Sequence, residues 1–279
     1  MMLTAVVPVA LAATVLAAFL GRLDTALFFV GLPALLALVV GMVPGEDGAG
    51  QLFQALTVAL LLVSAFLHEG ALCVLIVSPL VYGVAFAIHG LVEATRRGRH
   101  GQGPHTRHAL GGILVLVALE GVVPGLRINP VQEVHADRLV ASDCSDFTDA
   151  LARGPQFEPE KDRGLLLRLA QYPTPTAAQG TGLEVGDTWD LAMPMGSIST
   201  EVRAAESESI VFDVTADDAR TTRWVSIQEG RLSWEQTADG CRADVRITFE
   251  RDLDPAFWFA PVSSLFMNAR AEAFLAGLD

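Results

Sequence analysis

The sequence predicts a protein of two unlike parts, a bundle of about five α-helical membrane spans followed by an α+β domain with an antiparallel sheet and one long terminal helix. Three observations predict it. The chain is 51% hydrophobic over 279 residues, with a mean hydropathy of +0.42, which is more apolar than an ordinary water-soluble domain. The apolar residues are segregated: residues 1–126 carry 5 Arg, no Lys and 6 Asp or Glu, whereas the remaining 153 carry 14 basic and 26 acidic side chains. Finally, the pattern changes after Asn129-Pro130 from long apolar runs to short alternating ones, the mark of half-buried strands. The expected organisation is a transmembrane domain over 1–126, a linker over 127–130 and a second domain over 131–279.

In the first part, polar breaks divide the chain into apolar segments at 3–20, 26–43, 52–67, 71–92 and 109–124. A span of about 20 residues at 1.5 Å per residue crosses a hydrocarbon core of about 30 Å. The first segment reads either as an uncleaved span or as a signal peptide, although it lacks the basic n-region of the latter. The basic loop EATRRGRHGQGPHTRH, with Arg96, Arg97, Arg99 and Arg107, is expected on the cytoplasmic side. That places the amino terminus inside and the second domain outside the cell membrane. The turn at 68–70, HEG, then faces outward. His68 and Glu69 are either a plain polar turn or, with Glu120 at a similar depth, the rim of an outward-facing polar site.

The second part begins with the extended run VQEVHADRLV. Ser142, Asp143 and Ser145 are alternative caps for a short helix through Leu151, and GLLLRLAQYP is a second helical stretch ending at Pro173. Beyond the turn QGTGLEVGDTW come strand-like runs: TWDLAMPM, SISTEVRA, SIVFDVTA, RWVSIQE, RLSWEQT and RADVRITFERDL. Helical period returns at the end, with Asp254 as cap, Pro255 at the first helical position and an apolar stripe of Val262, Phe266, Ala269 and Ala273.

Several chemistries are disfavoured. GTGLEVG, 180–186, does not match GxGxxG and precedes a strand instead of opening a helix. His100, His105 and His108 share the basic loop but lack the Cys or carboxylate partners of a metal site. No Ser, His and Asp grouping carries a nucleophile-elbow signature, and the second part, at 14 − 26 = −12, repels nucleic acid. No metal and no cofactor is expected.

The order strand, two helices, about six strands and a long helix resembles the START-like superfamily, also labelled polyketide cyclase/dehydrase or SRPBCC. LLLRLAQYPTP ahead of GTGLEVGDTW, and RADVRITFERDL ahead of DPAFWFAPVSSLFMNARAEAFLAGL, carry the resemblance, which covers about 131–279. The apolar half looks like the membrane part of bacterial proteins that fuse several spans to such a domain. An EGxxC segment with a downstream proline recurs in them, read here as Glu69, Gly70, Cys73 and Pro79. The resemblance implies a helix-grip fold, in which a curved antiparallel sheet holds its terminal helix around an apolar cavity. Trp189, Trp224, Trp234 and Phe249 are then candidates to line that cavity, and His135 and Asp190 to orient a ligand in it. Phe257, Trp258 and Phe259 form an aromatic cluster suited to a lipid interface. In such a fold the first strand pairs with the last, which brings Cys144 near Cys241, a disulfide candidate in an oxidising compartment.

Three functions fit: a membrane-anchored domain that binds an apolar small molecule or lipid; an enzyme using His135 or Asp190 as general acid or base; or an assembly module with a filled cavity. The bilayer and the apolar ligand are the expected partners, nucleic acid is not, and protein partners are left open.

Overall fold

The computed structural model describes residues 48–67, 71–97, 120 and 123–278, apart from 156, 171, 195 and 220–223. The chain divides into two compact units, 1–116 and 117–279. In the first, helix α1 (Gly48–Leu67) and helix α2 (Ala71–Arg97) are described. They run antiparallel, with Phe53 stacked on Tyr82 at 5.1 Å and the Thr57 hydroxyl 2.7 Å from the Tyr82 hydroxyl. Among the described residues no helix is long and apolar enough to cross a membrane. The spans expected at 3–20 and 26–43, most of that expected at 109–124, the turn with His68 and Glu69, and residues 98–108 of the basic loop lie outside the described residues, whereas residues 93–97 of that loop continue α2.

The second unit is built on one antiparallel sheet. In chain order come β1 (Val131–Val140), α3 (Cys144–Arg153), α4 (Pro159–Asp162), α5 (Leu165–Leu169), β2 (Ala177–Gly180), β3 (Thr188–Ala192), β4 (Ser197–Glu206), β5 (Ser209–Asp217), β6 (Val225–Thr237), β7 (Gly240–Arg251) and α6 (Ala256–Ala276). The seven strands lie in the order β1-β7-β6-β5-β4-β3-β2. From β2 to β7 the chain simply meanders, while β1 reaches across to pair with β7 over its full length. Helix α6 packs against β1 and β7. This is the helix-grip arrangement.

Alternation decides which side chains meet α6, since successive residues of a strand point to opposite faces. On β7, Cys241, Ala243, Val245, Ile247 and Phe249 are all buried, whereas Arg242 and Arg246 between them are exposed. The pairing carries that face across the sheet: Val245 opposes Leu232, Leu232 opposes Ile210, and Trp189 opposes Thr200. Cys144 and Cys241 are joined by a disulfide with a Cα–Cα distance of 4.8 Å. Its geometry follows from register, because β1 ends with Val140 opposite Cys241 and α3 begins four residues later. The turn at Gly240 needs glycine, since its φ is 137° and a Cβ would lie 2.2 Å from the Val140 carbonyl oxygen.

Both helix caps come from distant residues. Asp143 occupies the N-cap of α3 without a side-chain hydrogen bond; the Cys144 N–H donates instead to Gln236 Oε1 at 2.8 Å. At α6 the expected cap, Asp254, turns away to arginine. The Ala256 N–H donates to Glu120 Oε1 at 2.9 Å, so a carboxylate 136 residues upstream satisfies one of the free donors at the positive end of the helix.

Around that corner lies a buried ionic cluster. Arg251 is fully buried. It donates to Asp254 and to the Leu253 carbonyl, and to the Ile128 carbonyl at 3.1 Å; its Nη2 lies 3.9 Å from Glu120. Arg127 joins from the linker, donating to Asp254 at 3.1 Å and Glu250 at 2.8 Å. Glu120 therefore sits inside the second unit as a structural counter-charge, and not on an exposed polar rim.

Candidate functional site

Between the concave face of the sheet and α6 lies a cavity of about 120 Å3. Its wall is overwhelmingly apolar and includes Trp189, Leu191, Ile198, Phe212, Val245 and Phe274. The strands leave this space because the middle of β6 is small at the decisive position. Gly230 stands opposite Phe212 and Ile247, and a Cβ added there would meet nothing within 4 Å.

Trp189 is held in the wall by the glycine-rich turn that precedes it. Its Nε1 donates to the Gly182 carbonyl at 2.7 Å, and its indole lies so close over Gly180 that a Cβ there would be 2.1 Å away. Asp187 ties the turn together, accepting from the Thr181 hydroxyl at 2.7 Å and the Glu184 N–H at 2.8 Å. GTGLEVGD is thus a positioning device for one tryptophan.

The other expected aromatics lie elsewhere. Trp234 is buried against Phe147 at 6.1 Å between ring centres, Phe249 is fully enclosed core, and Trp224 is half-buried just before β6; none of the three lines the cavity. Phe257 is exposed, Trp258 half-buried and Phe259 buried.

His135 and Asp190 do not reach the cavity either, and the cause is strand parity. His135 lies between buried Val134 and Ala136, and Asp190 directly follows buried Trp189, so both point outward and are exposed. They stand on β1 and β3, with β7, β6, β5 and β4 between them. Asp190 accepts a hydrogen bond from the Ser199 hydroxyl at 2.5 Å on the outer face.

The polar groups at the cavity come from other positions. Thr200 is buried in the wall, its hydroxyl 3.5 Å from the Trp189 carbonyl oxygen. Arg270, on α6, is only 5% exposed, lines the cavity, and has an Nη1 with no hydrogen-bond partner. Near it, Tyr172 stacks on Phe266 at 5.6 Å and directs its hydroxyl at the Met267 sulfur, 3.8 Å away. Burial pushes the Tyr172 phenol above its ordinary pKa, and the positive charge of Arg270 opposes this. Asp217, at the end of β5, accepts from the Ala219 N–H at 2.9 Å, while its Oδ2 is unpartnered. Burial raises its pKa against the pull of that hydrogen bond and of Arg270.

Sequence reasoning missed Arg270 because an arginine in a helix ordinarily marks the solvent face. The signal was its spacing: Ser263, Met267, Arg270 and Phe274 recur at intervals of 4, 3 and 4 along one side of α6, the period of a single helical face. No group of three or more His, Cys, Asp or Glu among the described residues could hold a metal ion.

No family model matches the sequence, and no curated protein matches it. Among solved structures, the chain is similar to an AHSA1-like protein from Aeromonas hydrophila, at 12% identity and a TM-score of 0.31 over 53% of this chain and 96% of that one. It is also similar to norcoclaurine synthase from Thalictrum flavum in complex with dopamine and hydroxybenzaldehyde, at 13% identity and 0.32 over 52% and 86%. A Bacillus halodurans protein gives 10% identity and 0.35 over 53% and 96%. At these identities the likeness concerns fold alone.

Proposed function

We propose that the second unit is a binding domain for a small apolar ligand and that the apolar first half holds it at a membrane, with the domain on the extracytoplasmic side. One observation carries the binding reading: an open apolar cavity lies between sheet and helix, with its wall tryptophan fixed by a dedicated turn. An apolar space of this order takes a single benzene-sized ring. A filled core would have favoured an assembly module, and convergence of His135 and Asp190 in the cavity would have favoured acid–base catalysis; neither is present.

The membrane part of the proposal rests on composition. The basic residues of 1–126 are 5 Arg, four of them in one loop, and large apolar side chains of the first unit, Phe53, Ile88 and Val92, are exposed. A domain with an intramolecular disulfide also suits an oxidising compartment. A reporter fused after residue 279 is expected to read extracytoplasmic, and one inserted near Gly101 cytoplasmic.

Gly230→Val tests the binding reading. The new side chain enters the cavity from a strand position that favours β-branched residues, so the variant is expected to fold and to lose ligand. Native mass spectrometry of the detergent-purified full chain should find a bound small molecule on the wild type and none on Gly230→Val. Equal occupancy of the two would place the ligand outside the cavity.

A further inference from the structure

We infer that the ligand of this cavity is an organic acid, a small apolar body bearing a carboxylate that Arg270 pairs with. This deepens the binding reading and rests on it. A guanidinium is charged at every physiological pH and cannot relieve its burial by giving up a proton. Taking such a charge out of water costs several kcal/mol unless partners replace the lost hydration, and buried donors without a partner are rare in native proteins. Arg270 is 5% exposed, yet Nη1 has no acceptor.

Its neighbours on the helix do not supply one. Ser263 is buried on the same face, and Met267 and Phe274 are apolar. The Tyr172 hydroxyl donates to a thioether and its oxygen is within hydrogen-bonding influence of the Arg270 guanidinium, but a neutral phenol leaves the positive charge uncompensated. Arg270 also borders the cavity, where the other buried polar side chain in the wall is Thr200.

A buried guanidinium of fixed charge at the edge of an apolar space is complemented by an acceptor oxygen carrying negative charge. Arginine suits carboxylates because its N–H groups match their two oxygens. The size of the cavity favours a compact acid, such as one aromatic ring with a short carboxylate arm, over a long acyl chain. Asp217, whose Oδ2 is also unpartnered, is an alternative partner, among the described residues, within electrostatic reach of Arg270. If Asp217 were the designated counter-ion, the guanidinium would be spent internally and the cavity indifferent to ligand charge.

The test compares matched acids and alcohols on the full chain in detergent, by calorimetric titration. Phenylacetate is set against 2-phenylethanol, and octanoate against octanol, so that the compact acid and the acyl chain are separate arms. The wild type should bind phenylacetate at least about tenfold more tightly than 2-phenylethanol, the discrimination expected of one charge-assisted hydrogen bond. Arg270→Gln, checked for folding by its circular dichroism, should erase that preference while keeping affinity for the alcohol. Asp217→Asn should leave the preference in place.

Equal binding of acid and alcohol by the wild type would overturn the carboxylate inference while leaving the apolar cavity standing. Binding of neither would overturn both. Preference for octanoate over phenylacetate would keep the carboxylate but reassign its source to acyl chains. The wild-type comparison decides the question even if Arg270→Gln does not fold.

Discussion

Arg251 and Arg270 are both buried arginines with one unpartnered nitrogen each, Nε and Nη1, but Arg251 is ringed by carboxylates and Arg270 lines a cavity. Arg251 is enclosed by Asp254, Glu120 and two backbone carbonyls. Removing one member of such a cluster leaves the others charged and unpaired, which typically costs 3–5 kcal/mol. Arg251→Leu is accordingly expected to lose about 3 kcal/mol in denaturant unfolding, whereas Arg270→Leu, which strands a smaller set of partners, should lose less. Equal losses would remove the distinction drawn between them.

Asp217 gives a pH-dependent prediction at the same scale. Its folded-state pKa is raised above 3.8, mainly by burial, so the protonated form is the better accommodated one. The stability it contributes is present below 3.8 and is lost as pH rises through the folded value. Asp217→Asn, which mimics the neutral form, should therefore raise the melting temperature at neutral pH, with the gain shrinking to nothing in acid. A gain that persists unchanged below 3.8 would assign the effect to something other than ionisation.

Individual residues were legible in the sequence to different degrees. Trp189 was one of four aromatics, with Trp224, Trp234 and Phe249, that the resemblance made wall candidates, and of the four it alone lines the cavity; alternation turns its neighbour Asp190 outward. Reading His135 and Asp190 as cavity groups required the parity of β1 and β3, which residue type does not supply and which only the burial of Val134, Ala136 and Trp189 fixes.

At the scale of elements, most strands and the terminal helix follow from period and turn residues, but the runs RWVSIQE and RLSWEQT, read as two, form the single strand β6, and the short edge strand β2 lies outside the expected runs. The helix caps do not follow from period, because Gln236 and Glu120 act from 92 and 136 residues away, a separation no local pattern encodes. The disulfide is intermediate. It needed the pairing of β1 with β7, which only the resemblance to a known fold implied, but once that pairing exists, the end of β1 brings Cys144 to Cys241. The bridge spans 97 residues, and closing a loop of this length stabilises by up to about 4.7 kcal/mol in the chain-entropy view. Alkylation of the denatured protein should label one of its 3 cysteines before reduction and all of them after. Three labelled thiols before reduction would mean that the bridge does not form in the cell.

At the scale of the whole molecule, composition changes near residue 126, whereas contact clustering divides the chain after residue 116. Glu120 lies in an apolar stretch by sequence, and its carboxylate accepts from the first N–H of α6. The cavity, in turn, is a property of the assembled sheet and helix. It depends on Gly230 leaving room in β6, on the glycine turn holding Trp189, and on α6 closing the concave face, so no one segment announces it.

The proposed ligand is apolar and would enter the space between the sheet and α6. Methyl-labelled NMR of the full chain, titrated with phenylacetate, tests this most directly. Resonances of Leu191, Ile198, Val214, Val245 and Ile247, all in the cavity wall, are expected to shift together and saturably, while those of Val185 and Leu139, exposed away from it, stay fixed. Shifts confined to exposed methyls, with the wall resonances unmoved at saturation, would contradict the account.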